Sequence, residues 1–213
     1  MTLLGAAQIR ELAAALDLKP SKSLGQNFVI DSNVCTKIVR TAAVGPSDIA
    51  LEIGPGLGSL TLALLESAAS VVAVEIDSRL AGQLPITVAN LFEHPENLTV
   101  LNQDALTIQS LPVNPTVLVA NLPYNVSVPV LLHLLEKFGS LRTGVVMVQA
   151  EVADRLAAKP GTKEYGIPSV KAAWWAEVKG AGSVSLSLIH ISEPTRQAEI
   201  WLGLSKVKVI TRQ

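Results

Sequence analysis

The 213-residue chain has one cysteine, Cys35, so no internal disulfide framework can hold it together. A reducing, cytoplasmic setting fits, and the lone thiol reads as a small buried hydrophobe. Charge of one sign is also lacking: 17 Lys and Arg stand against 18 Asp and Glu, a net −1. No global basic field announces nucleic acid, so any such binding needs a local patch. No secretory leader is recognisable. The apolar start at 1–7 is short, lacks a basic flank and runs into Arg10, Glu11 and Asp17. Residues 105–135 carry no Asp, Glu, Lys or Arg, yet Pro112, Pro115, Pro123 and Pro129 exclude a membrane helix there. His94 and His133 lie apart from each other and from Cys35, so no metal site is expected.

What the chain does have is apolar mass. At 49% hydrophobic residues and a mean hydropathy of +0.40, it is expected to bury a large core in one domain. Ile9, Leu12, Ala13 and Leu16 share a face at helical spacing, predicting a helix over about 6–16. A polar loop follows at 20–27. Asp31 or Ser32 can cap a second helix running to about Ala42, with Val34, Ile38 and Val39 inward.

Short β-branched apolar runs then recur at 49–53, 71–76, 98–102, 116–121 and 144–149. Helical patterns separate most of them, at 59–67, 79–89 (weakened by Gly82 and Pro85) and 129–138. A last helix at 167–175 leads into a candidate strand at 176–184. Such alternation predicts an α/β fold, a mostly parallel doubly wound sheet with helices on both faces. Ligands in these sheets bind beyond the carboxyl ends of the strands.

After Val184 the character changes. Residues 186–196, Leu-Ser-Leu-Ile-His-Ile-Ser-Glu-Pro-Thr-Arg, match the conceptual translation of a common sequencing-library adapter. The organisation expected is therefore a domain over 1–184, made of an N-terminal helix and loop (1–45) and a core (46–184). Residues 185–213 are expected to be a non-native read-through tail, and His190 receives no role.

Two segments carry the chemistry. In Leu-Glu-Ile-Gly-Pro-Gly-Leu-Gly at 51–58, Gly54, Gly56 and Gly58 form a G-x-G-x-G turn between strand and helix. Glycine allows the tight turn and close approach of backbone to ligand, although nicotinamide and flavin sites share the pattern. Glu75 ends the next strand, where a carboxylate can accept from both ribose hydroxyls; the nearby Asp77 reads as a helix cap. Asp104 ends the third strand and can accept from an adenine amino group, or serve only as a turn residue.

The second segment is Asn121, Leu122, Pro123 and Tyr124. An exocyclic adenine amine is a weak nucleophile because its lone pair is delocalised into the ring. The Asn121 side-chain oxygen and the Leu122 carbonyl can bind its N–H groups and aim that lone pair. Pro123 stiffens the loop, and Tyr124 offers a stacking face. Catalysis would then be mainly alignment of nitrogen, methyl and sulfur, so methyl transfer from S-adenosylmethionine is the expected reaction. A base inside a duplex cannot reach such a pocket, so the substrate must be unpaired or flipped out.

With these residues assembled, the chain resembles the small-subunit rRNA adenine N6,N6-dimethyltransferases. The matching pieces are Leu-Gly-Gln-Asn-Phe-Val (24–29), residues 51–58, Val-Glu-Ile-Asp (74–77), Gln-Asp-Ala (103–105), Asn-Leu-Pro-Tyr-Asn-Val-Ser (121–127) and Lys-Glu-Tyr-Gly (163–166). The resemblance implies a Rossmann-like class I methyltransferase that uses S-adenosylmethionine. The implied substrate is a pair of adjacent adenosines in a 3′-terminal hairpin loop of small-subunit rRNA, within a pre-30S-type particle. By matching position it implies that Asn27 and Val29 contact the cofactor with Gly54, Gly56, Gly58, Glu75, Asp104 and Asn121, and that Gln26 and Phe28 are secondary contacts. A monomer is expected.

The chain departs from the pattern after 184. The family continues with a Phe-x-Pro-x-Pro segment and a helical C-terminal domain, so the sheet-closing strands and that domain are expected to be missing. Three rival readings stand beside this one: a large-subunit rRNA methyltransferase of the antibiotic-resistance type, a non-catalytic ribosome-assembly factor, and a nicotinamide-dependent oxidoreductase. Arg142, Arg155, Lys159 and Lys163 are candidates for a phosphate-binding rim, whereas Trp174 and Trp175 read as packing groups.

Overall fold

The computed structural model describes residues 3–18, 32–122, 126–184 and 199–205. Five parallel strands form its centre: β1 (Ile49–Ile53), β2 (Ser70–Glu75), β3 (Leu98–Asn102), β4 (Val117–Asn121) and β5 (Thr143–Gln149). Helices α1 (Ala6–Ala15), α2 (Ser32–Thr41), α3 (Ser59–Leu65), α4 (Ser78–Leu91), α5 (Ser127–Lys137), α6 (Ala150–Ala157) and α7 (Ile167–Trp175) cover it. Two antiparallel strands, β6 (Glu177–Val184) and β7 (Glu199–Ser205), complete the order β3-β2-β1-β4-β5-β7-β6.

The strands read as continuous apolar runs because both faces are covered, yet they still sort by the two-residue period of the pleat. Ala50, Val71, Ala73, Val117, Val119, Val145 and Met147 join the core under α1 to α4. Their neighbours Leu51, Val72, Val74, Leu118, Ala120, Val146 and Val148 join the core under α5 to α7. Cys35 is a buried thiol of the first core, outside any disulfide, as expected.

Three differences from the sequence reading stand out. First, α4 runs unbroken from Ser78 to Leu91 with Pro85 inside it. Asp77 caps its start by accepting from the Arg79 N–H, and Leu80, Leu84 and Val88 bury one face, which outweighs the lost hydrogen bond. Second, α6 follows β5 directly and had no counterpart among the predicted elements. Its burial rests mainly on Ala153 and Leu156, too sparse a signal for periodicity to find. Third, the closing strand pair expected to be missing is formed. β7 comes from within the stretch expected to be foreign, and it fills the edge between β5 and β6. An open edge offers a row of main-chain donors and acceptors that any extended segment can satisfy. Among the described residues no helix is long and apolar enough to cross a membrane.

Candidate functional site

The strand order reverses between β1 and β4: the chain winds one way through β2 and β3, then returns to lay β4 on the other side of β1. A crevice opens at the carboxyl ends of strands at such a point, because the following connections leave in opposite directions. The glycine turn and Asn121 are the two segments that emerge there.

Gly54, Gly56 and Gly58 all adopt positive φ, at 68°, 57° and 99°. Side chains rarely tolerate this, so glycine at each position is a requirement of the turn. Gly54 donates to the Val74 carbonyl at 3.0 Å, tying the turn to β2. A Cβ on Gly54 would come 3.5 Å from the backbone oxygen of Asn121. The turn and the end of β4 are therefore in contact. Gly58 starts α3, and a Cβ there would sit 2.8 Å from Leu84 Cδ1 of α4.

Glu75 ends β2 and is buried. Its Oε2 accepts from the Gly56 N–H at 3.2 Å and its Oε1 from the Asp77 N–H at 3.0 Å. Burial raises its carboxyl above the ordinary value, while those two amides pull it back. The residue singled out as a ribose acceptor thus also fastens the glycine turn to β2. Asp77 is the helix cap it was read to be, paired with Arg79 at 2.7 Å. Asp104 follows β3, and its Oδ1 accepts from the Leu106 N–H at 2.9 Å, the turn role that was its alternative reading.

Asn121 is the last residue of β4, opposite Met147 of β5. Leu122 is buried and donates its N–H to the Met147 carbonyl at 3.1 Å. This bond continues the ladder past the strand and fixes the direction in which the chain leaves it. Pro123 and Tyr124 lie outside the described residues, as do Gln26, Asn27, Phe28 and Val29.

One pair of polar residues drew no notice in the sequence. Glu52 sits in the middle of the apolar β1 and is 1% exposed. Its Oε2 and the Thr61 Oγ1 on α3 are buried without a hydrogen-bond partner. Burial pushes the Glu52 carboxyl up to about 8; the nearby Thr61 side chain lowers it and the charge of Glu75 raises it further. The available signal was a carboxylate inside a run that otherwise reads as a fully buried strand.

Other candidates are placed elsewhere. Arg142 pairs with the buried Asp48 at the amino ends of the strands, the end of the sheet opposite the crevice. Burial raises the Asp48 carboxyl, but hydrogen bonds from Thr116 and Gly45, with Arg142, outweigh that and hold it below its ordinary value. Trp174 is 59% exposed, so it is not the packing group expected, whereas Trp175 packs partly into the second core. His133 Nε2 meets the Ile108 carbonyl at 2.7 Å. A cavity of about 380 Å³ lined by Ala153, Asp154, Lys159 and Glu164 lies beside α6 and Gly180 of β6. It shares no residue with the crevice at β1 and β4.

Comparison with known proteins bears on this arrangement directly. The family model described as ribosomal RNA adenine dimethylase matches residues 18–190. A ribosomal RNA small subunit methyltransferase A of Streptomyces avermitilis is 62% identical over 184 residues, covering 85% of this chain and 62% of the relative. A protein of the same name from Corynebacterium efficiens is 55% identical over 210 residues, covering 96% of this chain and 70% of the relative. The chain thus spans well under the full length of these relatives. Among solved structures, a dimethyladenosine transferase from Plasmodium falciparum superposes with a TM-score of 0.73 at 27% identity, covering 84% of this chain and 63% of that one. The 23S rRNA methyltransferase ErmE gives 0.71 at 27% identity, covering 85% and 70%. With the glycine turn and Asn121 meeting at the switch point of a class I S-adenosylmethionine-dependent methyltransferase fold, and with the family match running through both, the chain belongs to the ribosomal RNA adenine dimethylase family.

Proposed function

We propose that this chain is the cofactor-binding and catalytic portion of an enzyme that dimethylates N6 of two adjacent adenosines in a 3′-terminal hairpin loop of small-subunit rRNA. The observation that carries the reading is the contact between the glycine turn and the end of β4, within a family match over residues 18–190. The residues present suit S-adenosylmethionine. Three positive-φ glycines lay bare a backbone cradle, and Glu75 keeps lone pairs available beside it. In this reading the turn and Glu75 hold the ribose and methionine end, Asp104 meets the adenine of the cofactor, and Asn27 and Val29 close over it. The bound cofactor supplies an electrophilic methyl group.

Asn121 and the Leu122 carbonyl would grip the target amine while Tyr124 stacks on the base and Pro123 holds the loop. The Leu122 N–H, committed to the Met147 carbonyl, anchors the Asn121–Leu122 peptide from which both proposed acceptors project. Asn121→Ala is expected to lower kcat by at least about a hundredfold, since alignment dominates the barrier, and to weaken cofactor binding by a smaller factor, since Asn121 is also read as a cofactor contact.

The test is transfer of tritiated methyl groups to small ribosomal subunits from cells lacking the modification, followed by nucleoside analysis. Label in N6,N6-dimethyladenosine is expected. No label in adenosine, under conditions where a full-length relative is active, rejects the reading. The likeness to ErmE makes methylation of large-subunit rRNA the second reading, and the same assay on large subunits separates the two. The enzyme is read as a cytoplasmic monomer acting on a pre-30S-type particle. Residues 185–213 are read as a foreign tail on a 1–184 domain; sequencing the gene uninterrupted past Val184 decides this.

A further inference from the structure

Among the described buried residues, the ionisable side chains are Cys35, Asp48, Glu52 and Glu75. Asp48 is answered by Arg142 and Thr116 at the amino ends of the strands. Glu75 is answered by two backbone amides. Glu52 is answered more weakly: the Thr61 side chain is close enough to lower its titration, yet neither Oε2 nor the Thr61 Oγ1 makes a well-formed hydrogen bond. An acid so weakly supported in a core is costly, and an apolar residue of similar size would pack there without that cost. Its position suggests what it is for. Glu52 stands on β1 two residues before Gly54, the first glycine of the turn read as the cofactor cradle.

The methyl donor and the spent product differ in charge at that place. S-adenosylmethionine is a sulfonium with an ammonium and a carboxylate, and so carries one net positive charge. Loss of the methyl group leaves a neutral thioether, S-adenosylhomocysteine, of almost the same shape. Shape alone can hardly separate the two, and charge can. We infer that Glu52 is a specificity-determining residue: its carboxyl, buried on β1 just before the glycine turn, beside Thr61 and Glu75, lets the site tell the cationic donor from its neutral product.

In the empty site the carboxyl holds its proton, because it is dry and faces the charge of Glu75 on β2. Thr61 on α3 is uncharged. On the same face, α2 and α4 turn Val34, Cys35, Ile38, Leu84 and Val88 into the core, so the thiol of Cys35 is the only other ionisable group they bring. When the sulfonium binds, its charge favours loss of the Glu52 proton to solvent. When the methyl group has left, that support is gone and a proton returns. A unit charge at roughly 10 Å, in an effective dielectric of about 20, moves a carboxyl by about one pH unit. Through this carboxyl, binding of the donor should therefore tighten about fivefold as pH rises from 6 to 8, a gain that the product should not share.

This rests on the reading of the crevice as the cofactor site, and the experiment tests the two separately. The full chain is titrated calorimetrically with S-adenosylmethionine and with S-adenosylhomocysteine, near pH 7.5, in buffers of different ionisation enthalpy. Failure of both to bind would reject the cofactor site itself. Given binding, Glu52 is expected to contribute about half a proton of release to the donor and almost none to the product. The sulfonium also lowers the pKa of the donor's own ammonium, so the ligand's contribution is removed by comparison with Glu52→Gln, which binds the same two ligands. In Glu52→Gln the donor-minus-product difference should shift by that half proton while the product still binds. A difference unchanged in Glu52→Gln overturns the inference. Should that variant fail to fold, infrared difference spectra of the unaltered chain decide. Loss of the protonated-carboxyl band on adding the donor, and not the product, is expected, and its absence overturns the inference.

Discussion

Glu52 carries a cost that depends on pH. Its folded-state carboxyl lies near 8, whereas in the unfolded chain it titrates near 4.5. The folded state therefore keeps a proton that the unfolded state gives up as pH rises through that window. Stability falls over the window and levels off above it. Glu52→Gln should remove this dependence: its melting temperature should match that of the parent near pH 4.5 and exceed it increasingly towards pH 8. The gain is on the order of a few kcal/mol, read by thermal denaturation of the ligand-free chain. An equal melting difference at both ends of the window would show that Glu52 is already ionised. Gly58 argues in the opposite direction. An alanine there must take φ near 99° and press on the fully buried Leu84, so Gly58→Ala should cost about 2 kcal/mol or more in chemical denaturation.

At the level of the element, α4 is held by its tertiary face more than by its own sequence. Gly82 and Pro85 both oppose helix, yet the helix persists because Leu80, Leu84 and Val88 are buried. A Cβ on Gly82 would meet nothing within 4 Å, so Gly82→Ala should stabilise the chain by about 0.5–1 kcal/mol without touching the site. A drop in the denaturation midpoint would mean that the helix needs the glycine for packing. α6 teaches the converse. It was missed because Ala153 and Leu156 are a thin apolar stripe, and only its docking against β5 and α7 makes it a helix with a buried side. Ser169 of α7 donates to the Arg155 carbonyl, closing the end of α6 with a bond that no local pattern foretells.

Across the whole molecule, the sheet is parallel through β5 and antiparallel beyond it. Its far edge depends on β7, which pairs with β5 over seven residues, from Thr143 to Gln149. A chain ending at 184 would leave that ladder of β5 open to solvent and part β6 from the sheet. It should unfold at a lower denaturant concentration and self-associate more readily, as measured by chemical denaturation and light scattering. If both properties were unchanged, β7 would contribute nothing to the fold in solution. The crevice lies away from this edge, at β1 and β4, so cofactor affinity should survive the truncation at temperatures where the shorter chain stays folded.

The amino-acid sequence by itself determined the alternation of strands and helices, the glycine turn, the Asp77 cap and the motif that places the chain in its family. These are local properties: apolar periodicity, φ preferences and short spacings act between residues close along the chain. Only the tertiary structure decided that Asn121 touches the turn from which it is separated by 67 positions, that Arg142 pairs with Asp48, that Trp174 faces solvent, and that Glu52 is buried near Thr61. Each of those depends on which strands become neighbours and which face of each is covered. The free energy of a buried charge or an exposed ring is set by that surrounding, not by the residue's own neighbours in the chain.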